Sequence, residues 1–189
     1  MALGVNDPTV SPHLKAYIQS DSGVLVVGVI GEGTSRQLTA NWESPFEQDS
    51  AGSKYERAGG LIQEATGVTS KGTLQSTQVW NGNVPMTFPV VLELYALNDP
   101  ESEVRGAVSA LEQMASPDVN YVSPLGRAPS TCSIQIGRMI LYPECLIEEV
   151  SYEVTGPTHV SGLPLRATVQ MTIQTKTMLN GSDIPSTYG

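Results

Sequence analysis

The amino-acid sequence predicts a mainly β fold with flanking helices, of the α+β class, and three observations carry that reading. β-Branched residues crowd short runs of strand length, of which residues 24–30 form the longest apolar one. Apolar and polar side chains alternate without a break from Leu165 to Gln174. Glycine and proline, 18 and 13 of 189 residues, are scattered between the runs rather than clustered. A chain of this length can bury one sizeable core, so a single domain is expected over 1–189. Residues 1–14 are expected to form an extended N-terminal arm and 179–189 a flexible C-terminal tail.

Taken in order, residues 16–30 read as a hairpin about the turn Asp21-Ser22-Gly23. From 35 to 42, alternation through Leu38, Ala40 and Trp42 predicts a strand that Ser44-Pro45 ends. Tyr55, Ala58, Leu61, Ile62 and Ala65 recur at spacings of three and four, which predicts an amphipathic helix over 53–66, weakened by Gly59-Gly60 and stopped at Gly67. Residues 73–80 read as a strand, and Asn81-Gly82-Asn83 as a turn joining it in a hairpin to 86–97.

The start of a helix at about 99–115 is written in Asn98-Asp99-Pro100-Glu101. Asp99 can accept from free amides, Pro100 loses no hydrogen bond there, and Glu101 meets the positive end of the helix dipole. Val104, Ala107, Val108, Leu111 and Met114 or Ala115 line its apolar face, and Ser116-Pro117 ends it. After a loop over 117–129, Cys132, Ile134 and Ile136 alternate in a further strand. Residues 145–155 and 165–178 flank a glycine- and proline-bearing connector, 156–162, and predict a long antiparallel C-terminal hairpin. On its first strand Val150, Tyr152 and Val154 face one side, and Glu149, Ser151 and Glu153 the other.

Composition narrows the function. Only 15% of residues are charged, against about 25% in an average soluble domain. That suits strands partly covered by other subunits. A net charge of −9 argues against a protein that grips nucleic acid, although a negative wall lets a duplex slide past without sticking. Residues 1–14 hold no long apolar run, so neither a signal peptide nor a membrane segment is expected. Cys132 and Cys145 read as two reduced, buried thiols of a cytoplasmically made protein, with a single bridge as the alternative.

Residues that could carry chemistry form no recognisable site. His13 and His159 lie outside any zinc-ligand spacing, and the two cysteines have no base beside them in sequence. Gly31-Glu32-Gly33 follows a strand, but no third glycine arrives in register and no helix follows. The acidic pairs Glu43 with Glu47 and Glu148 with Glu149 read as solvated surface or subunit contacts rather than acid and base. No catalytic residue, cofactor or metal is therefore expected. Trp80 reads as a core or interface residue, whereas Trp42, Glu43, Pro45, Phe46 and Glu47, in a proline-bent acidic segment, read as a docking loop.

The order of these features resembles the tube-initiator and tail-tube-like proteins of contractile phage baseplates and related injection systems. The resemblance runs from Gln37 onward. It rests on Asn41-Trp42-Glu43-Ser44-Pro45-Phe46-Glu47, on Val79-Trp80-Asn81-Gly82, on the strand and helix over 88–117, and on Ser161-Gly162-Leu163-Pro164-Leu165-Arg166-Ala167 before the alternating last strand. It implies a β-sandwich or split barrel with a flanking helix, and six copies in a ring whose hairpins join into one barrel around a DNA channel. The apolar hairpin face would pack on the domain core, and Glu149, Glu153, Gln170, Thr172 and Gln174 would look into the channel. Arg166 and Lys176, on the same alternating face, would lie at the rims. Implied partners are neighbouring tube and baseplate hub proteins, with sheath or tape-measure protein as further candidates. DNA would pass without specific binding, in a virion assembled in the host cytoplasm. An ordinary tube subunit and a hub adaptor share this architecture. A jelly-roll carbohydrate-binding module, suggested by Trp42, Trp80 and Tyr121, and a carboxylate-paired enzyme are the rivals.

Overall fold

Alternation and turn chemistry lay the chain out as the sequence suggests in most places. The computed structural model describes residues 2–43, 78–117, 128–154 and 156–189. Among them the strands are β1 (Ala2–Gly4), β2 (Lys15–Ser20), β3 (Leu25–Ile30), β4 (Ala40–Glu43), β5 (Val79–Asn83), β6 (Thr87–Tyr95), β7 (Cys132–Ile136), β8 (Ile140–Val154) and β9 (Arg166–Thr175), with one α-helix, α1 (Gly106–Ala115). The backbone gathers into two compact units, Met1–Leu38 with Pro85–Gly189, and Thr39–Val84.

In the larger unit, β3, β2, β7, β8, β9 and β6 pair in that order and β6 returns to β3, closing a six-stranded barrel. The fold is thus mainly β with a flanking helix, and the barrel is closed rather than split. Antiparallel pairing aligns the period-two faces, so Ile18, Val26, Phe88, Leu92, Ile134, Val169 and Ile173 all point inward and are fully buried. Each such side chain contributes about 1.5–3 kcal/mol by leaving water. The helix α1 packs on β3 and β8, which lie opposite each other around the ring, and so it crosses one mouth of the barrel. Ala107, Val108, Leu111 and Met114, with Val104 in the turn before the helix, form its buried face, as the spacing predicts.

The closing seam between β3 and β6 is short, with Val29 opposite Glu93 and Ile30 opposite Leu92. The rest of that β3 edge is taken by β1, in parallel, with Gly4 opposite Val27. Gly4 has φ +95°, and a Cβ there would stand 2.0 Å from the Val27 carbonyl oxygen, so only glycine fits. The expected N-terminal arm therefore begins as a seventh strand added to the sheet beside β3, followed by the buried Val5.

Two predicted elements take different forms. Residues 35–42 were expected as one strand, but 31–37 instead run along β6, with the amides of Gly31, Ser35 and Gln37 donating to Val91, Pro89 and Thr87. Pro89 has no amide to return to Ser35, so the Gln37–Thr87 pair, which exchanges both backbone bonds, stands as an isolated bridge rather than part of a continuous ladder. Nor do 79–83 and 86–97 form a hairpin about Asn81-Gly82-Asn83: β6 pairs with β9 and β3, and β5 pairs with β4. Between the pairs Ala40–Asn83 and Trp42–Trp80, β5 carries one extra residue, and Gly82 with φ +108° absorbs it. The glycine signal marks a bulge, not a turn.

The helix expected from 99 begins with a π-helical turn, Glu101–Arg105, that runs straight into α1. Asp99 caps it as predicted, its carboxylate accepting from the amides of Glu101 and Ser102 at 3.1 and 3.2 Å and from the Ser102 hydroxyl at 2.7 Å. The Ser102 hydroxyl and these amides hold the Asp99 carboxyl below its ordinary value. Behind it, one buried carboxylate oxygen of Glu103 accepts from the amides of Leu97, Asn98 and Asp99 at 2.6, 2.9 and 3.1 Å. The chain's last residues, expected as a tail, form a 3₁₀ turn, Ile184–Thr187, and the Gly189 amide donates to the Arg138 carbonyl. The predicted helix over 53–66 lies outside the described residues, as do Pro45, Phe46, Glu47 and Tyr121.

Candidate functional site

The element that sets this barrel apart is β8. Its first rungs pair with β7, from Ile136–Ile140 to Cys132–Cys145, and it pairs with β9 from Cys145–Thr175 to Val154–Ala167. Strict period two would scatter its apolar residues over both faces. Instead the ladder shifts twice, between the pairs at Tyr142 and Cys145 and again between those at Ile147 and Glu149. Each extra residue resets the parity. Ile140, Tyr142, Cys145, Ile147, Val150, Tyr152 and Val154 thereby share the core side of the strand.

Beyond Cys145 the strand has β9 on one edge and, among the described residues, no strand on the other. Val150 packs on the core, but Tyr152 is 50% and Val154 55% exposed, although their β9 partners Val169 and Ala167 are buried. The expectation that the hairpin's apolar face packs on the domain's own core holds for Val150, Val169, Met171 and Ile173, but not for Tyr152 and Val154. Tyr152 and Val154 thus lie on the core side of the sheet yet open to solvent, and the edge of β8 that no described strand pairs runs beside them.

On the other face, Glu149, Ser151 and Glu153 stand opposite Thr172, Gln170 and Thr168, and Gln174 continues the row opposite Leu146. The five residues Glu149, Glu153, Gln170, Thr172 and Gln174 thus share one polar face, exposed or half-buried. Glu32 and Gly33 meet this face at a shallow depression of about 410 Å³, shared with Glu149, Gln170 and Thr172. Of the two cations expected at the rims, Arg166 opens β9 opposite Tyr95, and Lys176, just past its end, makes a 3.3 Å ion pair with Glu144.

In the smaller unit, Trp42 and Trp80 stand directly opposite each other across β4 and β5 and are 57% and 53% exposed. Glu43 is in β4 rather than a loop, and its carboxylate accepts from the Asn81 side-chain amide at 3.1 Å. The cross-strand tryptophan pair was not legible from the sequence, because register is set by the Gly82 bulge.

No local sequence pattern marks the role of Arg36. Its guanidinium lies 4.4 Å from the Tyr188 ring centroid and 5.9 Å from that of Tyr142, and it donates to the Thr187 hydroxyl at 2.9 Å. It pins the C-terminal turn to the barrel. His13 sits in an exposed turn, and His159 shares a 2.8 Å hydrogen bond with Ser161 in the β8–β9 connector. Among the described residues no helix is long and apolar enough to cross a membrane. No family model matches the sequence, and no curated protein resembles it closely enough to count as a relative.

Proposed function

We propose that the chain is a structural virion protein that forms a ring at the baseplate hub of a contractile phage-type tail, starts or continues the inner tail tube, and lines its DNA channel. The observation that carries this reading is the outer half of the β8–β9 hairpin: a strand edge that no described strand pairs, beside exposed apolar Tyr152 and Val154. A lone barrel gains nothing from such an edge, which invites pairing with another chain, whereas a ring that joins hairpins covers both edge and apolar face. Six copies are the stoichiometry the resemblance implies. The acidic and amide-bearing opposite face suits a wall past which DNA slides. Neighbouring tube and hub proteins would stack on the ring, and no catalysis is involved.

Sedimentation and electron microscopy of the purified full-length chain, over a range of concentrations, test the reading. Closed rings with the hairpins at their inner wall are expected. A chain that stays monomeric throughout, and is missing from the tail of the particle it comes from, overturns it. The exposed Trp42–Trp80 pair favours one other reading, a carbohydrate-binding module. Saturable glycan binding by the monomer, lost in Trp42→Ala, would establish that instead.

A further inference from the structure

The last rung that β8 shares with β7 is a pair of cysteines. Cys132 opens β7 directly opposite Cys145, and both are fully buried and free. The rung belongs to a row of small core-facing side chains that crosses four strands: Ser20 on β2, Cys132 on β7, Cys145 on β8 and Thr175 on β9. It stands at the fork where β8 leaves β7 and continues with β9 as its only described partner.

We propose that Cys132 and Cys145 are a latent disulfide, which the folded protein closes within one chain when it meets a peroxide-class oxidant. Directly opposite residues of an antiparallel pair hold their Cβ atoms about 4.5–5.5 Å apart, and a disulfide needs about 3.5–4.5 Å. The adjustment required is small, and the ladder is already irregular at this rung, since β8 carries its extra residue between Tyr142 and Cys145. On the β7 side the start of the strand is held by Asp21, whose amide donates to the Thr131 carbonyl and whose carboxylate accepts from the Thr131 hydroxyl.

The chemistry balances with one peroxide. One sulfur attacks a peroxide oxygen, the O–O bond breaks, and the leaving oxygen departs as water with the thiol proton, leaving a sulfenic acid. The second sulfur displaces the sulfenic hydroxyl, which leaves as a second water. Each sulfur is oxidised by one unit and each peroxide oxygen is reduced by one. Burial pushes both thiols up to about 12, and Cys132 beside it adds to the rise at Cys145. Thiolate is therefore scarce at neutral pH, so the pair persists as thiols in a reducing compartment and closes only under sustained oxidant. A groove of about 690 Å³ is lined by Thr175, the β9 partner of Cys145, and by Ser133 and Glu144, the chain neighbours of the two cysteines, but neither cysteine lines it, so peroxide reaches the buried pair only when the strands open locally.

Closure would add a covalent link at the last β7–β8 rung and lock the angle at which the hairpin leaves the barrel. The test treats the native full-length chain with hydrogen peroxide, quenches it and denatures it. The expected product is a monomer lighter by two hydrogens. Its non-reducing digest joins the peptides of Cys132 and Cys145, its Tm is higher by about 5–10 °C, and a thiol reductant reverses every change. Two thiols still titrating in denaturant after treatment, separate sulfinic acids on the two residues, or chains linked to one another would each overturn the proposal.

Discussion

Ile147 and Val150 stand three positions apart on β8 yet face the same side, because Ile147 pairs with Ile173 and Val150 with Met171, two positions apart on β9. The extra residue lies in Glu148-Glu149, both exposed. A bulge of this kind bends a strand and raises its twist, and here it falls just beyond the fork from β7. It therefore aims the outer hairpin. Deleting Glu148 leaves plain alternation with the same residues inward, so the barrel should fold with a Tm within about 3 °C of the parent. The hairpin should leave the barrel at a different angle and rings should fail to close. Rings of unchanged diameter would show that the bulge has no part in aiming it.

Val169 and Tyr152 face each other across β9 and β8 but differ in cover, Val169 being fully buried and Tyr152 half exposed. Val169→Asp places an uncompensated charge in the core and should abolish folding, a loss of several kcal/mol. Tyr152→Asp should leave circular dichroism and Tm nearly unchanged while abolishing ring formation in sedimentation. A soluble, folded Val169→Asp protein would reverse the assignment of faces.

Where one physical rule acts alone, the sequence reads clearly. The alternation over β9, the turn at Asp21-Ser22-Gly23 and the apolar face of α1 each follow from a local period or turn preference, and each is present in the structure. Rules in competition read less well. Asn81-Gly82-Asn83 has the composition of a turn, yet Gly82 serves a bulge because β4, nearly forty residues earlier, is the partner. The faces of the outer hairpin were legible from Val150, Tyr152 and Val154. Their exposure was not, since it depends on where β7 ends. Arg36 and Tyr188 lie far apart in sequence, and no local pattern announces their contact.

Local sequence places Glu103 only within a helix, but one of its oxygens gathers three amides of the β6-to-helix connection. Glu103→Ala leaves those donors without an acceptor and should lower the free energy of unfolding by about 2–4 kcal/mol. Glu103→Gln keeps an acceptor and loses the charge, so its cost should be about 1 kcal/mol. Urea titration of the two variants checks the order, and equal losses would mean that packing rather than acceptance matters there.

The buried thiols predict a dependence on alkaline pH. Cys132 and Cys145 ionise near 9.0 when unfolded and at about 12 when folded. Above pH 9 the unfolded chain releases these protons while the folded chain keeps them, so their contribution is complete below pH 9 and is lost as pH rises towards 12. The slope is about 1.4 kcal/mol per pH unit for each thiol. Under a reductant, the parent should lose stability more steeply over this window than the Cys132→Ala/Cys145→Ala protein. Parallel curves would mean that the thiols are already partly ionised in the fold.

Glu153 and Gln170 lie on the polar face of the hairpin, Gln170 opposite Ser151 and Glu153 opposite Thr168. If that face lines a channel, its sign controls how DNA moves through it. Lysine at both positions exchanges one negative and one neutral side chain for two positive ones in every subunit, and a ring multiplies the change. Both residues are exposed, so Glu153→Lys/Gln170→Lys should fold with a Tm within about 2 °C of the parent and still assemble. Phosphate would then be attracted to the wall, slowing DNA release, and added salt should relieve the delay because the attraction is carried by counterion release. Release timed by a DNA-binding dye at two salt concentrations reads this directly. Unchanged release from assembled tails would remove Glu149, Glu153, Gln170, Thr172 and Gln174 from the channel wall and turn that face towards solvent.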